Sequence, residues 1–214
     1  MNELTLEVVI AHYKEQYNNS SLCTLTSLAS NIVIYNKHEG SNLLPNVGHE
    51  AHTFLYHIIH NYRALYDVTL FLMGKWNIFC RNVVAADLLV KLRSEEYVGS
   101  KQFDSYGDHN ITFTIDGCPH HPGLPIRRIW NELFLEECNA KFNNIKTRSM
   151  FHVTRDLILA RSLDFYKKCY DLLLLSDSRY NPCGNKYNLI DPIEGYVFER
   201  LWPMIFNPEI KAKL

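Results

Sequence analysis

Three carboxylates of the chain are candidates for a general base: Glu50, Asp116 and Glu199. Asp116 precedes Gly117 at the end of an apolar stretch, so we expect it where a strand meets a glycine turn. A carboxylate in a cleft can take the proton of a hydroxyl group that attacks an electrophilic carbon. The alternatives are an Asx-turn for Asp116 and an ion pair of Glu199 with Arg200 that fixes a C-terminal helix.

Two basic residues follow the apolar stretch 68–73, namely Lys75, which comes directly after Gly74, and Arg81. A lysine or arginine beside a diphosphate offsets the negative charge that develops on the leaving group, and a water-poor cleft strengthens this attraction. Lys75 and Arg81 are therefore candidates for binding a diphosphate without a metal. The alternative for Lys75 is a solvated loop residue.

Metal ligands are sparse along the chain. There is no Asp-x-Asp pair of the kind that holds a divalent cation against a diphosphate. A single acid such as Asp116 or Asp108 can still bind Mn²⁺ or Mg²⁺, so the sequence requires no cofactor and leaves a divalent cation as the alternative. Residues 118–121 contain one cysteine and two histidines, but no second ligand pair stands at the spacing of a structural zinc site.

A long amphipathic helix is predicted from residue 51 to residue 62, because apolar residues recur there at intervals of three and four. Its start carries Asn46, Gly48, His49 and Glu50. Free backbone N–H groups at such a terminus favour a bound anion. The alternative is that Asn46 and Glu50 only cap the helix.

The stretch 4–11 is almost continuously apolar and β-branched, as in a strand that is buried on both faces. His12, Tyr13 and Lys14 leave its carboxyl end. In open α/β sheets the ligand crevice lies beyond the carboxyl ends of the strands, and the Tyr13 ring can stack on a base or a sugar. An ordinary polar loop is the alternative.

Further strands are predicted at 31–35, 68–73, 111–115 and 150–153, with helical patterns between most of them. This alternation indicates a layered α/β/α domain with a mainly parallel, mixed central sheet. The stretch 99–125 reads as mostly loop around one short strand. We expect one domain over residues 1–214, in which 154–214 are mostly helical.

Bulk properties narrow the class of protein. The 214 residues are 47% hydrophobic and carry a net charge of -1 without a long basic run, so a duplex nucleic acid is an unsuitable partner. No 18 consecutive residues are apolar, and no N-terminal leader pattern is visible. The six cysteines contain no Cys-x-x-Cys pair. These features predict a cytoplasmic protein without a membrane span.

Three stretches, 44–50 with the following helix and strand, 151–158, and 195–202, together resemble the signature of a domain family called DUF3431. The order of the elements and the ending Glu-Arg-Leu-Trp also resemble nucleotide-sugar glycosyltransferases of the GT-A fold, including bacterial capsule and viral glycan enzymes. The resemblance implies a GT-A-like fold and transfer of a sugar from a nucleotide-diphosphate donor, UDP more than GDP, to a hydroxyl group of a glycan or glycoprotein acceptor.

The same resemblance implies a role for each candidate residue. His12, Tyr13 and Lys14 contact the nucleotide, and residues 46–50, with Asn46, Gly48, His49 and Glu50, shape the donor pocket. Lys75 and Arg81 offset the diphosphate, and Asp116 or Glu199 is the base. The alternative is that the protein is not an enzyme but a carbohydrate-binding or interaction module with the same fold.

Overall fold

The structure is a computed structural model that describes residues 4–16, 23, 25–27, 29–76, 103–105, 111–118, 121–138, 142–145, 149–174 and 192–213. Arg81 and Asp108, two of the residues singled out above, lie outside these ranges. In chain order the strands are β1 (Leu6–His12), β2 (Asn31–Asn36), β3 (Val68–Met73), β4 (Phe103–Ser105), β5 (Ile111–Phe113), β6 (Gly117–Cys118), β7 (His121–Pro122), β8 (Phe142–Ile145) and β9 (Phe151–Thr154). The helices are α1 (His49–Asn61), α2 (Ile126–Leu133), α3 (Arg155–Leu159), α4 (Leu163–Leu174) and α5 (Ile193–Ile205).

The central sheet has five strands in the order β2-β1-β3-β9-β4. β1 pairs in parallel with both β2 and β3, so that Val9 lies between Val33 and Phe71. β9 runs antiparallel to β3 and to β4, and all strands of this sheet except β9 therefore share one direction. The prediction of an α/β protein with a mainly parallel, mixed central sheet is confirmed at this level.

Both faces of the parallel part of the sheet are covered. Val9 and Phe71 point into a large apolar cluster that includes side chains of α1, α4 and α5. Val8 and Leu70 point to the opposite face, into a smaller cluster. Residues Leu6 to Ala11 are consequently buried along the whole run, as its apolar sequence predicts.

The prediction for 99–125 is wrong in two respects. The described part of this stretch contains four short strands, β4 to β7, instead of one. The predicted strand 111–115 ends at Phe113 and pairs with β8 in a separate two-stranded sheet, whereas β4 joins the central sheet. Strands of two or three residues form through their tertiary partners, so the local sequence carries little signal for them.

The helices that matter for the site lie on one side of the sheet. α1 packs against β1, α4 and α5, and it begins two residues earlier than its apolar pattern predicts. Residues 154–213 contribute α3, α4 and α5, whose apolar side chains belong to the same cluster as those of α1. No helix in the described part of the chain is long and apolar enough to cross a membrane.

Candidate ligand-binding site

A cavity of about 430 Å³ lies at the carboxyl ends of β1, β2 and β3. The chain passes from β1 to β2 on one side and later to β3 on the other side, so the strand order reverses around β1. In open α/β sheets ligands bind outside the strand ends at such a reversal. The cavity is lined by Ala11, His12, Tyr13, Glu15, Lys37, Asn46, His49, Glu50, Met73 and Gly74.

His12 lines the cavity, but contacts within the protein occupy both of its ring nitrogens. Nδ1 lies 2.7 Å from Oδ1 of Asn36, and Nε2 lies 2.9 Å from the carbonyl oxygen of Glu15. The amide nitrogen of Asn36 donates to the carbonyl oxygen of Ser41 at 2.7 Å, which turns its oxygen toward His12. The imidazole therefore links the loop after β1 to the end of β2 at the wall of the cavity.

Glu15 orders the backbone of the same loop. Its Oε2 accepts hydrogen bonds from the backbone N–H groups of Tyr13 at 2.7 Å and Lys14 at 3.2 Å. A Cβ atom added at Gly74 would overlap this carboxylate. The glycine after β3 thus leaves the space that Glu15 needs to hold the backbone of this loop.

Tyr13 stands at the rim of the cavity with 39% of its surface exposed. The ammonium nitrogen of Lys14 lies 5.1 Å from the centre of its ring, and the His38 ring meets it edge-on with the centroids 5.8 Å apart. An exposed aromatic ring that is held from two sides offers a flat surface for a base or a sugar.

Lys37 is a cavity residue that the sequence analysis misses. It follows β2 directly, and its backbone N–H donates to the carbonyl oxygen of His12 at 2.9 Å. Its ammonium group donates to the carbonyl oxygen of Val47 at 2.5 Å and to that of His49. Burial lowers the pKa of Lys37 to about 8, and the charge of Glu50 partly opposes this effect. The rule that selects His12, position at a strand's carboxyl end, also selects Lys37.

Glu50 is the available carboxylate of the cavity. It lies half-buried in the first turn of α1 and acts electrostatically on Lys37. Its oxygens accept no hydrogen bond and form no ion pair within 4.0 Å from any residue that the structure describes. Glu15, by contrast, is committed to the backbone of its own loop.

The turn before α1 is formed by two left-handed residues, Gly48 at a φ of 64° and His49 at a φ of 50°. Gly48 is the N-cap, and no side chain caps the helix, so the capping interpretation of Asn46 is wrong. A Cβ atom at Gly48 would lie 2.9 Å from that of His52, which explains the glycine by packing. His49 lines the cavity, and its ring packs at a tilt against Tyr196, with the centroids 5.4 Å apart.

Asp116 lies elsewhere. It lines a second cavity of about 400 Å³ together with Arg127, Arg128 and Asn131, and it is exposed. Its own N–H donates to the hydroxyl group of Thr114 at 3.2 Å. Within the described ranges its carboxylate accepts no backbone hydrogen bond, so the Asx-turn is not observed. The structure therefore does not bring Asp116 into the cavity of His12 and Glu50.

Glu199 forms the ion pair that was the alternative to catalysis. Nη1 of Arg200 lies 2.6 Å from Oε2 of Glu199, while Nη2 lies 3.1 Å from Nδ1 of His121 and 3.4 Å from Sγ of Cys118. Arg200 is buried, and this set of contacts ties α5 to the hairpin of β6 and β7. Glu199 lines neither of the two cavities.

The remaining predicted cations and metal ligands do not gather at the cavity. Lys75 is exposed in the turn after β3 and does not line it, although the neighbouring Gly74 does. Lys14 contacts the Tyr13 ring at the rim. Among the residues with described positions, no group of three or more His, Cys, Asp or Glu side chains is arranged to hold a metal ion.

These features define a mixed α/β protein with a ligand-sized cavity at the carboxyl ends of three parallel strands. The chain belongs to the family described as "Protein of unknown function (DUF3431)", whose pattern matches residues 8–213, and the predicted family is thereby confirmed. Comparison with curated proteins and with solved structures gives no match. The resemblance to GT-A enzymes stays a prediction.

Proposed function

We propose that the chain is a glycosyltransferase of the GT-A type that moves a sugar from a nucleotide-diphosphate donor to a glycan hydroxyl, with UDP-sugars favoured over GDP-sugars. The observation that carries the proposal is the cavity at the strand-order reversal around β1. Five residues that the sequence assigns to the donor line it: His12, Tyr13, Asn46, His49 and Glu50.

The dimensions of the cavity agree with a small-molecule ligand. Pockets that enclose such ligands have volumes of about 300–1,000 Å³ and carry a few fixed polar groups in an otherwise apolar wall. The cavity of about 430 Å³ falls in this range. Ala11, Met73 and Gly74 supply its apolar part, and the side chains of Lys37 and Glu50 supply opposite charges.

Two side chains support a donor nucleotide and an acceptor hydroxyl. Tyr13 offers its exposed ring at the rim, where a base can stack on it. Glu50 has the uncommitted carboxylate that a base needs in order to take the proton of the attacking hydroxyl group. Among the three carboxylates of the sequence analysis, Glu50 is the one that lines this cavity, and the proposal assigns the base to it.

The test is thermal stabilisation by a panel of UDP-, GDP-, CMP- and dTDP-sugars, each with EDTA and with manganese, because a ligand of the native state raises its Tm. A shift selective for one base supports donor binding. Tyr13→Phe is expected to keep this shift, since the ring remains, and Tyr13→Ala is expected to lose most of it.

The two arms of the panel separate the alternatives. A Tm shift that persists in EDTA supports neutralisation of the diphosphate by a basic side chain. A Tm shift that requires manganese supports neutralisation by a metal ion. No shift with any donor at millimolar concentration, together with stabilisation by free oligosaccharides, would contradict the proposal in favour of a carbohydrate-binding module.

A further inference from the structure

The buried ammonium group of Lys37 has a hydrogen-bond donor to spare. An ammonium group carries three N–H donors. Two of them go to the carbonyl oxygens of Val47 and His49. The third has no acceptor among the residues with described positions, although only 8% of Lys37 is exposed and the residue lines the cavity. A buried charged donor without a partner is costly, and a ligand in the cavity can relieve that cost.

We propose that Lys37 is the cation that binds the diphosphate of the donor, through this third N–H group. The assignment rests on the proposed function for the identity of the ligand, whereas the underlying anion site rests on Lys37 and the cavity alone. It replaces Lys75 in the role that the sequence analysis gives to that residue.

Position and preorganisation favour Lys37 over Lys75. Lys75 is exposed and lies outside the cavity wall, so water and salt screen its charge. Lys37 is buried, and in such surroundings the attraction between opposite charges is several times stronger than in water. The carbonyl oxygens of Val47 and His49 also hold the ammonium group in place before a ligand arrives.

The charged and titratable groups around Lys37 come from two segments, α1 and the end of β1 with the loop that follows it. On α1, the charge of Glu50 acts on Lys37, the charge of Lys37 acts on His52, and His49 lines the same cavity. His12 at the end of β1 and Glu15 in the following loop also line it. Burial, followed by the charge of Lys37, lowers the pKa of His52 to about 4, so this ring is neutral at pH 7. Glu15 is bound to its own loop, which leaves Glu50 as the facing carboxylate. In a transfer reaction, the carboxylate of Glu50 can take the proton of the acceptor hydroxyl, while the ammonium group of Lys37 offsets the charge of the diphosphate.

The proposal has a consequence for pH. The free protein loses the charge of Lys37 as the pH rises through about 8. A bound diphosphate favours the charged form and raises this pKa, so binding takes up a proton above that pH. The affinity for a nucleoside diphosphate is therefore expected to fall roughly fourfold between pH 7.2 and 8.5.

The experiment is calorimetric titration with UDP, GDP and inorganic pyrophosphate. Lys37→Gln is the informative variant, because its amide keeps two N–H donors for the two carbonyl oxygens and carries no charge. We expect it to weaken binding of the diphosphates about 10- to 100-fold at pH 7.2, as for a lost hydrogen bond to a charged group. The matched control Lys75→Gln is expected to bind within about twofold of the wild type.

A second measurement on the wild-type chain covers the case in which Lys37→Gln does not fold. Titration of UDP or GDP in two buffers of different ionisation enthalpy gives the number of protons taken up, which we expect to reach about half a proton or more at pH 8.5. Nucleotide binding without proton uptake, or with full affinity in Lys37→Gln, would overturn the role of Lys37 and leave the proposed function intact. Pyrophosphate binding that requires Lys37, without binding of any nucleotide, would keep the anion site and overturn the function. No binding of any of the three at millimolar concentration would overturn both.

Discussion

Glu7 of β1 and His57 of α1 form a buried polar pair, with Oε2 of the carboxylate 3.0 Å from Nε2 of the ring. Their side chains are 4% and 1% exposed. Nδ1 of His57 lies 3.2 Å from the hydroxyl oxygen of Tyr35, and the amide of Asn31 donates to Oε1 of Glu7 at 2.8 Å. The pair therefore links β1, its neighbour β2 and the helix α1, whose first turn lines the cavity.

We predict that His57→Phe lowers the free energy of unfolding by about 3–5 kcal/mol, because it leaves the carboxylate of Glu7 buried without its partner. Urea denaturation measures the change. The exposed pair of Lys167 and Asp164, 3.0 Å apart, is the matched control, and Lys167→Ala is expected to cost less than about 1 kcal/mol. Equal losses of unfolding free energy in the two variants would show that the buried pair stabilises the fold no more than an exposed pair does.

Arg161 closes the end of α5. Its guanidinium group donates to the carbonyl oxygens of Ile205 at 2.9 Å, Met204 at 3.2 Å and Asn207 at 2.5 Å, and it lies 5.3 Å from the centre of the Phe165 ring. Met204 and Ile205 are the last two residues of α5, where carbonyl oxygens lack their helical donors four residues further on, and Asn207 follows the helix. The oxygen of Met204 also accepts the backbone N–H of Asn207 at 3.2 Å.

Arg161→Met is expected to lower the free energy of unfolding by about 2–4 kcal/mol, because it removes several hydrogen bonds from a charged donor to buried acceptors. Chemical denaturation followed by circular dichroism checks this. Arg155, which pairs with Asp67 at 2.9 Å near the surface, gives the control variant Arg155→Met, with an expected loss below about 1 kcal/mol. A loss for Arg161→Met as small as that of the control would contradict the capping role.

His52 makes stability depend on pH below neutrality. Burial, and then the charge of Lys37, lowers its pKa in the folded state from 6.5 to about 4. Between these values the unfolded chain binds a proton that the folded chain does not bind. The free energy of unfolding therefore decreases as the pH falls from 6.5 toward 4, by at most about 1.4 kcal/mol per pH unit from this residue.

His52→Gln tests this linkage, since its amide can still reach the hydroxyl group of Tyr170, which lies 2.7 Å from Nε2 of the histidine. The difference in unfolding free energy between wild type and variant, measured from pH 7 to pH 4, is expected to shift in favour of the variant. His60→Gln, at an exposed histidine of the same helix, is expected to keep the wild-type profile. If the unfolding free energies of the wild type and both variants change with pH in parallel, His52 is not the source of the pH dependence.

Gly74 is expected to matter for ligand binding through Glu15. Gly74→Ala places a methyl group where the Glu15 carboxylate lies, so the loop with Tyr13 must move. We predict a loss of nucleotide affinity of about tenfold or more, comparable to the loss of one or two hydrogen bonds in the loop. Glu15→Ala supplies the comparison, because adding Gly74→Ala to it is then expected to have little further effect. Additive losses of nucleotide affinity in the double variant would mean that Gly74 does not act through Glu15.

The elements that the sequence predicts best are those with a strong pattern. The predicted strands 4–11 and 68–73 correspond to the buried parallel strands β1 (Leu6–His12) and β3 (Val68–Met73), because their apolar runs suit a sheet covered on both faces. The period of 51–62 identifies α1. The rule that ligands meet strand ends then leads to His12 and Tyr13, which line the cavity. Local pattern and tertiary structure agree in this part of the chain.

The site also contains features that local sequence patterns identify only in part: the strand-end rule selects the position of Lys37 but does not predict its burial. Lys37 looks like a loop residue, because its burial depends on the turn at Val47 and His49, which lies ten residues and more further along the chain. Asp116 satisfies the same strand-end argument as His12, yet β5 ends earlier and belongs to another sheet, so its carboxylate faces a different cavity. Tertiary contacts decide which strands pair in one sheet, and the pattern of a single sequence does not predict this pairing.

The most direct test of the account is the release of nucleoside diphosphate from the panel of sugar donors, measured for the wild-type chain and for Glu50→Gln with and without a glycan acceptor. The account predicts release from donors of one base, acceleration by the acceptor, and a loss of the accelerated rate of about 100-fold or more in Glu50→Gln, as for removal of a general base. Asp116→Asn is expected to keep most of that rate, because Asp116 lines the other cavity. No release from any donor, or equal rates for wild type and Glu50→Gln, would contradict it.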